Sequence, residues 1–120
     1  MTQSLEDYIE SIYLLIASGK QAQVRDVAKS LSVKMPSVVK ALHELKRLGL
    51  ATQEPYANIE LTEKGRRVAE LVLSRHMLLK SFLMKLGVGE AVADKDACMM
   101  EHILSAETLE KIRAYTEENR

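Results

Sequence analysis

The chain has 120 residues, enough for one modest hydrophobic core or for two small lobes. A hydrophobic content of 47% is ordinary for a globular protein and argues against wholesale disorder. No apolar run is long enough to span a bilayer, no signal peptide opens the chain, and the single cysteine excludes an internal disulfide, so we expect a protein of the reducing cytoplasm.

Charge is unevenly distributed along the chain, although the net charge is zero. Residues 20–47 carry seven bases and two acids, a local charge of +5. Residues 87–120 carry eight acids and four bases, a local charge of −4. A basic front half can face phosphates and an acidic back half suits a cation, but both halves could equally be solvated surfaces.

Three helices are predicted at the start of the chain. The first begins at Ser4, with Asp7 three residues later as a variant capping box. Apolar spacing predicts a short amphipathic helix over residues 24–31, followed by a tight turn. The third has Pro36 in its first turn, where the missing N–H costs nothing, and ends at Gly49.

A small β-hairpin is predicted next. Residues 50–53 and 59–62 have the composition of short strands, and residues 55–58 form the turn, in which Asn58 is able to take positive φ. Two helices followed by a hairpin, with another helix before them, are typical of a winged helix-turn-helix.

The remainder of the chain is predicted to be helical. A long helix over residues 63–86 has a wide apolar face, which suggests packing on its own domain and on a partner chain. A helix over 90–104 follows, and Ser105 caps a last helix. The fold is thus mainly α, with a winged helix-turn-helix DNA-binding domain over residues 1–70 and an α-helical dimerisation and metal-binding domain over 71–120.

The N-terminal end of the second helix of a helix-turn-helix faces base edges in the major groove, and the preceding helix crosses the DNA backbone. A wing tip can lie against a phosphate or a sugar. The candidate DNA-binding residues are Arg25, Lys29, Lys34, Met35, Pro36, Ser37, Lys40 and Tyr56. Some winged helices serve protein contacts instead, but the lysine-rich face favours double-stranded DNA.

A mixed set of oxygen, nitrogen and sulfur side chains is the second candidate site. The set comprises Asp7, Glu10, His76, Cys98, Glu101 and His102. Spacings of three and four would place Cys98, Glu101 and His102 on one helix face. Such mixed ligands suit a borderline transition ion better than magnesium or calcium. Taken alone, a buried cysteine beside a surface Glu-His pair explains this string better than a metal.

Four segments together resemble the diphtheria-toxin-repressor/manganese-transport-regulator family of metal-dependent repressors. They are EDYIESIY at 6–13, LTEKG at 61–65, RH at 75–76 and DACMMEHILS at 96–105. The resemblance covers nearly the whole chain. It implies a homodimer that binds a palindromic operator when loaded with Mn(II) or Fe(II), and that switches off metal-uptake genes. It also implies a metal that joins the two domains.

The resemblance makes the chain a hybrid of two branches of that family. Asp7 matches the manganese branch, where the iron branch has Met, whereas Cys98 matches the iron branch, where the manganese branch has Glu. Glu101 and His102 match both branches. The choice between Mn(II) and Fe(II), and between one and two ions per subunit, therefore stays open. The absence of a third domain resembles the manganese branch.

Further positions bear on a second ion. Glu10 and His76 match second-site ligands of the manganese branch, and His76 also matches an ancillary ligand of the iron branch. Lys80 and Asp94 stand where the iron branch has an ancillary Glu and His, and Lys80 would repel a second cation. We therefore expect the ion near Asp7 and Cys98 to be the principal one.

Three other functions use some of the same features. A metal-independent winged-helix regulator could respond to a small organic effector, with Cys98 and His76 as core residues. A metalloenzyme would use the same ligand types, but the chain has no glycine-rich phosphate loop and no nucleophile elbow. A metal-storage module would give no function to the second helix of the helix-turn-helix, whose N-terminal end is suited to DNA. We expect no enzyme, no small-molecule substrate and no membrane partner.

Overall fold

A computed structural model describes residues 2–119, apart from the side chain of Gln3. The chain divides into two compact units, Met1–Glu70 and Leu71–Arg120. The elements are α1 (Gln3–Ala17), α2 (Val24–Leu31), α3 (Met35–Arg47), β1 (Ala51–Thr52), β2 (Glu60–Leu61), α4 (Glu63–Lys85), α5 (Glu90–Met100) and α6 (Ala106–Glu118). The predicted order of helices and strands is confirmed.

Helix α1 begins earlier than predicted. Thr2 is its N-cap, and the Thr2 hydroxyl accepts a hydrogen bond from the backbone N–H of Leu5 at 3.2 Å. The expected start at Ser4, with Asp7 completing a capping box, is therefore wrong. Thr2 offers the same hydroxyl chemistry two residues earlier, from an extended backbone that suits a cap. Asp7 consequently lies in the body of the helix.

Helices α1, α2 and α3 pack together around the core of the first unit. Ile9, Val27 and Leu45, one from each helix, are completely buried. Helix α2 has the bounds that its apolar spacing predicts. Ser32 then takes a left-handed conformation with φ of 55°, which makes the tight turn into α3. This packing leaves the opposite faces of α2 and α3 available to a partner.

Strands β1 and β2 form the wing. They pair antiparallel, with Ala51 opposite Leu61 and Thr52 opposite Glu60. The backbone N–H of Ile59 donates to the carbonyl of Ala22 at 2.7 Å, which ties the wing to the chain before α2. The hairpin is confirmed, although each strand is shorter than its β-type composition suggests.

The turn at the wing tip differs from the prediction. The N–H of Ala57 donates to the carbonyl of Glu54 at 3.0 Å, closing a four-residue turn with Pro55 in its second position. Tyr56, in the third position, has φ of 61°. A left-handed third residue after proline defines a type II turn. The positive φ of this turn is therefore at Tyr56 and not at Asn58, because Pro55 fixes the turn two residues earlier.

The exit from the wing explains part of the LTEKG segment. The Thr62 hydroxyl donates to the carbonyl of Gly49 at 2.7 Å and accepts from the N–H of Gly65 at 3.0 Å, so it caps the start of α4. A Cβ added at Gly65 would lie 1.9 Å from the carbonyl oxygen of Leu50. Only glycine allows this approach of α4 to the strand.

The second unit consists of the later part of α4 with α5 and α6. Gly87, at φ of 102°, ends the turn after α4, and Ser105 caps α6 by accepting from the N–H of Thr108 at 3.2 Å, as predicted. Helix α4 packs on α6, where the rings of Phe82 and Tyr115 meet edge to face at 6.0 Å. None of the helices in residues 2–119 has the length and apolar content needed to cross a membrane.

Helix α5 ends four residues before the predicted end. Its last residue is Met100, and the N–H of His102 then bonds the carbonyl of Met99 at 3.4 Å, three residues back. Ser105 must be extended to cap α6, so the chain leaves the α-helical path before it. The prediction of one continuous helix through residue 104 is therefore wrong.

Candidate functional site

His76 lies at the centre of a polar cluster in the second unit. It belongs to α4 and is 8% exposed. Its Nε2 lies 2.8 Å from Oδ1 of Asp94, and its Nδ1 lies 3.5 Å from Oε2 of Glu101. Each ring nitrogen therefore faces a different carboxylate.

Glu101 is the most buried charged residue of this cluster. It is the C-cap of α5 and is 2% exposed. Its Oε1 lies 3.3 Å from Nε2 of His102, the next residue. Cys98, in the last turn of α5, is exposed. Because α5 ends at Met100, His102 lies in the turn after the helix, and the expectation that Cys98, Glu101 and His102 share one helix face is wrong.

Three of the candidate ligands converge despite that difference. One ring nitrogen of His76, the sulfur of Cys98 and a carboxylate oxygen of Glu101 all lie within 4.8 Å of one another. Ions such as Zn(II) take such donors at roughly 2.0–2.3 Å, so one ion could reach all three with small side-chain movements.

The donor chemistry and burial also fit a transition ion. Nδ1 of His76 is buried and, within residues 2–119, accepts or donates no hydrogen bond. A buried ring nitrogen without such a bond is uncommon unless a cation or an unseen proton donor belongs there. Nitrogen, sulfur and carboxylate donors together suit borderline ions rather than magnesium or calcium.

Asp94 and Lys80 flank the cluster on its outer side. Nζ of Lys80 lies 3.6 Å from Oδ1 of Asp94 and 3.4 Å from Oε1 of Glu90. The hydrogen bond with His76 holds the pKa of the Asp94 carboxyl below its ordinary value, and the charges of His76 and Lys80 add to this effect. Asp94 is therefore an ionised acceptor near neutral pH.

Asp7 and Glu10 lie in the other unit. Both are half-buried on α1, one on either side of the fully buried Ile9. A carboxylate in such a position keeps part of its surface accessible to a ligand. Their predicted role as metal ligands stays a prediction.

The predicted DNA-binding side chains are all exposed. They are Arg25, Lys29, Lys34, Met35, Pro36, Ser37, Lys40 and Tyr56. Lys34 is the N-cap of α3 and Pro36 lies in its first turn, so the free N–H groups of that end add to the positive charge of the lysines. Tyr56 projects fully into solvent from the wing tip. Arg25, Met35 and Tyr56 line one surface depression, so α2, the start of α3 and the wing tip face the same side, and the bases on that side come from the two helices.

Two further residues were missed as functional candidates. Asp94 contacts His76, and its position one helical turn before Cys98 was the signal that could have found it. Val39 is 54% exposed on α3, whereas Val38 beside it is buried. The inward stripe of α3 runs at spacings of four and three through Val38, Leu42 and Leu45, and Val39 lies off that stripe beside the exposed Lys40.

Family comparisons match the two halves of the chain separately. The model described as "Iron dependent repressor, N-terminal DNA binding domain" matches residues 1–59. The model described as "Iron dependent repressor, metal binding and dimerisation domain" matches residues 62–120. Together the two models span almost the whole chain.

Two curated relatives are similar along most of their length. An uncharacterized HTH-type transcriptional regulator of Methanocaldococcus jannaschii is 41% identical over 119 residues, covering 98% of this chain and 95% of its own. The HTH-type transcriptional regulator MntR of Lysinibacillus sphaericus is 40% identical over 111 residues, covering 92% of this chain and 80% of its own.

Solved structures share the fold. The manganese regulator SloR is 27% identical with a TM-score of 0.84, covering 98% of this chain and 55% of its own. IdeR of T. acidophilum is 27% identical with a TM-score of 0.80, covering 93% of this chain and 53% of its own. A manganese-dependent transcriptional repressor in complex with manganese is 25% identical with a TM-score of 0.83, covering 94% of this chain and 52% of its own. The chain spans about half the length of these solved proteins.

Proposed function

The chain belongs to the iron-dependent repressor family of metal-dependent transcriptional regulators, and from that premise we propose that it represses metal-uptake genes as a metal-loaded homodimer on a palindromic operator. Members of this family are DNA-binding regulators and not enzymes. The observation that carries the proposal is the convergence of His76, Cys98 and Glu101 within 4.8 Å, in a chain whose other unit presents an exposed basic face.

The metal site is the sensing element in this proposal. His76, Cys98 and Glu101 hold the ion, with His102 beside Glu101 as a further ligand. The family resemblance alone also assigns Asp7 and Glu10 as ligands. When bound, the ion supplies positive charge that neutralises carboxylates which otherwise repel one another. Metal and DNA then favour the same state, with a reciprocal coupling of about 1–3 kcal/mol per site.

We propose Mn(II) or Fe(II) as the physiological effector. Carboxylates bind both Mn(II) and Fe(II), and the Cys98 thiolate favours Fe(II), the softer of the two ions. In raw affinity Zn(II) and Cu(II) should bind such a site more tightly, so selectivity in the cell depends on geometry and metal supply.

The DNA interface is the basic face of the first unit. Lys34, Met35, Pro36, Ser37 and Lys40 enter the major groove, with Val39 able to contact a thymine methyl group. Arg25 and Lys29 contact phosphates, and Tyr56 contacts the sugar-phosphate backbone from the wing. The two reading helices of a dimer would then lie roughly 34 Å apart, or a multiple of that spacing.

We assign the domain roles with the support of the two family models. Residues 1–70 bind DNA, and residues 71–120 hold the metal and form the dimer. Leu71 and Met77, 61% and 55% exposed on α4, are apolar surface of the kind that a second copy covers. The proposed location is the cytoplasm, where the operator lies. A regulator that responds to an organic effector without metal is not favoured, because the family is metal-dependent.

Selection of bound sequences from random duplexes tests the proposal. Protein loaded with Mn(II) should enrich palindromes with two half-sites, whereas protein in chelator should enrich nothing. A Glu101→Gln variant, which loses a carboxylate ligand, should behave as the chelated protein does. Glu107→Gln, an exposed change on α6, is the matched control and should enrich the same palindromes as the unmodified chain. Equal enrichment in chelator would overturn the metal-dependent assignment.

A further inference from the structure

The polar contacts of His76 continue beyond the candidate ligands. Its Nε2 meets Asp94 of α5 at 2.8 Å, and Asp94 in turn meets the ammonium of Lys80 at 3.6 Å. Lys80 lies on α4 one helical turn after His76, and its side chain is 23% exposed. Neither Asp94 nor Lys80 is among the residues assigned to the metal or to DNA above.

The contact with Asp94 determines which nitrogen of His76 carries the proton. An ionised carboxylate only accepts hydrogen bonds, so Nε2, at 2.8 Å, donates to Asp94, whereas Nδ1 makes no hydrogen bond within residues 2–119. In the neutral ring the lone pair is then on Nδ1, the nitrogen that lies 3.5 Å from Oε2 of Glu101. A metal ion binds only the nitrogen with the lone pair.

Lys80 keeps Asp94 in this position. Its ammonium lies between the carboxylates of Asp94 and Glu90, at 3.6 and 3.4 Å. The two acidic side chains are exposed by 57% and 73%, so each would otherwise be free to turn into water. A half-buried cation between them restrains both against α4.

We propose that Asp94 is a positioning residue for the metal site, that it holds His76 with Nδ1 directed at Glu101, and that Lys80 secures Asp94 in place. The metal-binding part of this inference rests on the proposed function. The ring orientation does not, because it is a property of the protein without metal. A carboxylate behind a ligating histidine fixes its tautomer and raises its basicity, and losing such a partner typically weakens metal binding by about 10- to 100-fold.

The tautomer of His76 in metal-free protein is the first test. Long-range proton–nitrogen correlation spectra distinguish the Nδ1–H and Nε2–H forms of the three histidines, and a His76→Gln variant assigns the signal. We expect the Nε2–H form in the unmodified chain and a mixture, or the Nδ1–H form, in Asp94→Ala. Asp96→Ala removes another exposed carboxylate of α5 and is the matched control, which should leave the spectrum unchanged.

Binding of Co(II) alone is the second test. Asp94→Ala should raise the Kd for Co(II) by about 10- to 100-fold. Asp94→Asn, which retains an acceptor oxygen, should recover part of this loss, and Asp96→Ala should show none. Lys80→Met should raise the Kd for Co(II) by a smaller factor than Asp94→Ala does, and it should increase the population of the Nδ1–H tautomer of His76. Lys85→Met, on the same helix, should change neither the Kd nor the tautomer.

The two tests separate this inference from the proposed function. An unchanged tautomer and unchanged Co(II) affinity in Asp94→Ala would overturn the inference even if DNA binding requires metal. If instead DNA binding proves independent of metal, the proposed function fails, while the altered tautomer in Asp94→Ala still supports a positioning role for Asp94. Since Asp94 is 57% exposed, its replacement should leave the fold intact, which circular dichroism checks.

Discussion

Nδ1 of His76 and Oε2 of Glu101 lie 3.5 Å apart, and both residues are buried. The histidine comes from the middle of α4 and the glutamate from the C-cap of α5, so the contact depends on how these two helices pack. Nδ1 makes no hydrogen bond within residues 2–119, and a cation bound to it would lie next to the Glu101 carboxylate as well. This contact, with the Cys98 sulfur beside it, is the structural basis for a metal-sensing role.

The sulfur ligand can be tested through metal preference. Cys98→Ser should weaken binding of Zn(II) by at least about tenfold relative to Mn(II), because a thiolate prefers the softer ion. Competition titrations give the ratio of the two dissociation constants. The thiolate charge-transfer band of the Co(II) form should disappear as well, and its assignment is simple because the chain has one cysteine. An unchanged ratio together with a retained band would remove Cys98 from the ligand set.

The proposed contact of α3 with DNA can be tested through the salt dependence of operator affinity. If Lys40 contacts a phosphate, Lys40→Gln should lower operator affinity and reduce the slope of log K against log salt by about 0.9. Anisotropy titrations at several salt concentrations measure both quantities. Lys46→Gln, an exposed change near the other end of α3, is the control and should have little effect. Equal losses of operator affinity in Lys40→Gln and Lys46→Gln would mean that binding depends on the overall positive charge and not on a contact made by Lys40.

Tyr56 combines a strained backbone with full exposure, which predicts opposite effects on stability and binding. At φ of 61° a tyrosine costs roughly 1 kcal/mol more than glycine, so Tyr56→Gly should raise the free energy of unfolding by up to about that amount. The same change should weaken operator binding several-fold. Tyr56→Phe retains the ring and should leave stability near its original value. If Tyr56→Gly binds the operator normally, the wing tip does not contact DNA.

Gly65 is predicted to be essential for the packing of α4 on the wing. An added Cβ would lie 1.9 Å from the backbone oxygen of Leu50, and backbone cannot move aside as a flexible side chain can. Gly65→Ala should therefore destabilise the protein by about 1–3 kcal/mol. Gly89→Ala is the control, because a Cβ there meets nothing within 4 Å. Urea denaturation compares the two variants, and similar midpoints would contradict the account of the wing exit.

Local signals predicted the parts of the fold that depend on local chemistry. The bounds of α2 follow from its apolar spacing, and Ser105 caps α6 because a hydroxyl precedes a run of helix formers. Where two neighbouring residues have the same chemistry, the sequence could not decide between them. Thr2 and Ser4 both qualify as the N-cap of α1, and the extended backbone of Thr2 is a property of the folded chain.

The metal cluster was predicted by residue type and only partly by geometry. The sequence predicts that Glu101 and His102 lie in a helix. In the structure α5 ends at Met100, because Ser105 must have an extended backbone to cap α6. The end of α5 is thus set by a residue outside the helix, so the spacing of apolar residues within the helix does not predict it. The contact of His76 with Asp94 joins residues 18 apart in the chain, and it depends on the packing of α4 against α5.

The most direct test of the account is a titration of metal-stripped protein with Mn(II) and, without oxygen, with Fe(II). Anisotropy of a labelled palindromic operator-like duplex reports DNA binding, and a chelator provides the control. The account predicts binding only when metal is present, and the two midpoints then show which ion the site with Cys98 prefers. Equal binding in chelator would contradict it, because the cluster around His76 would then play no part in DNA recognition.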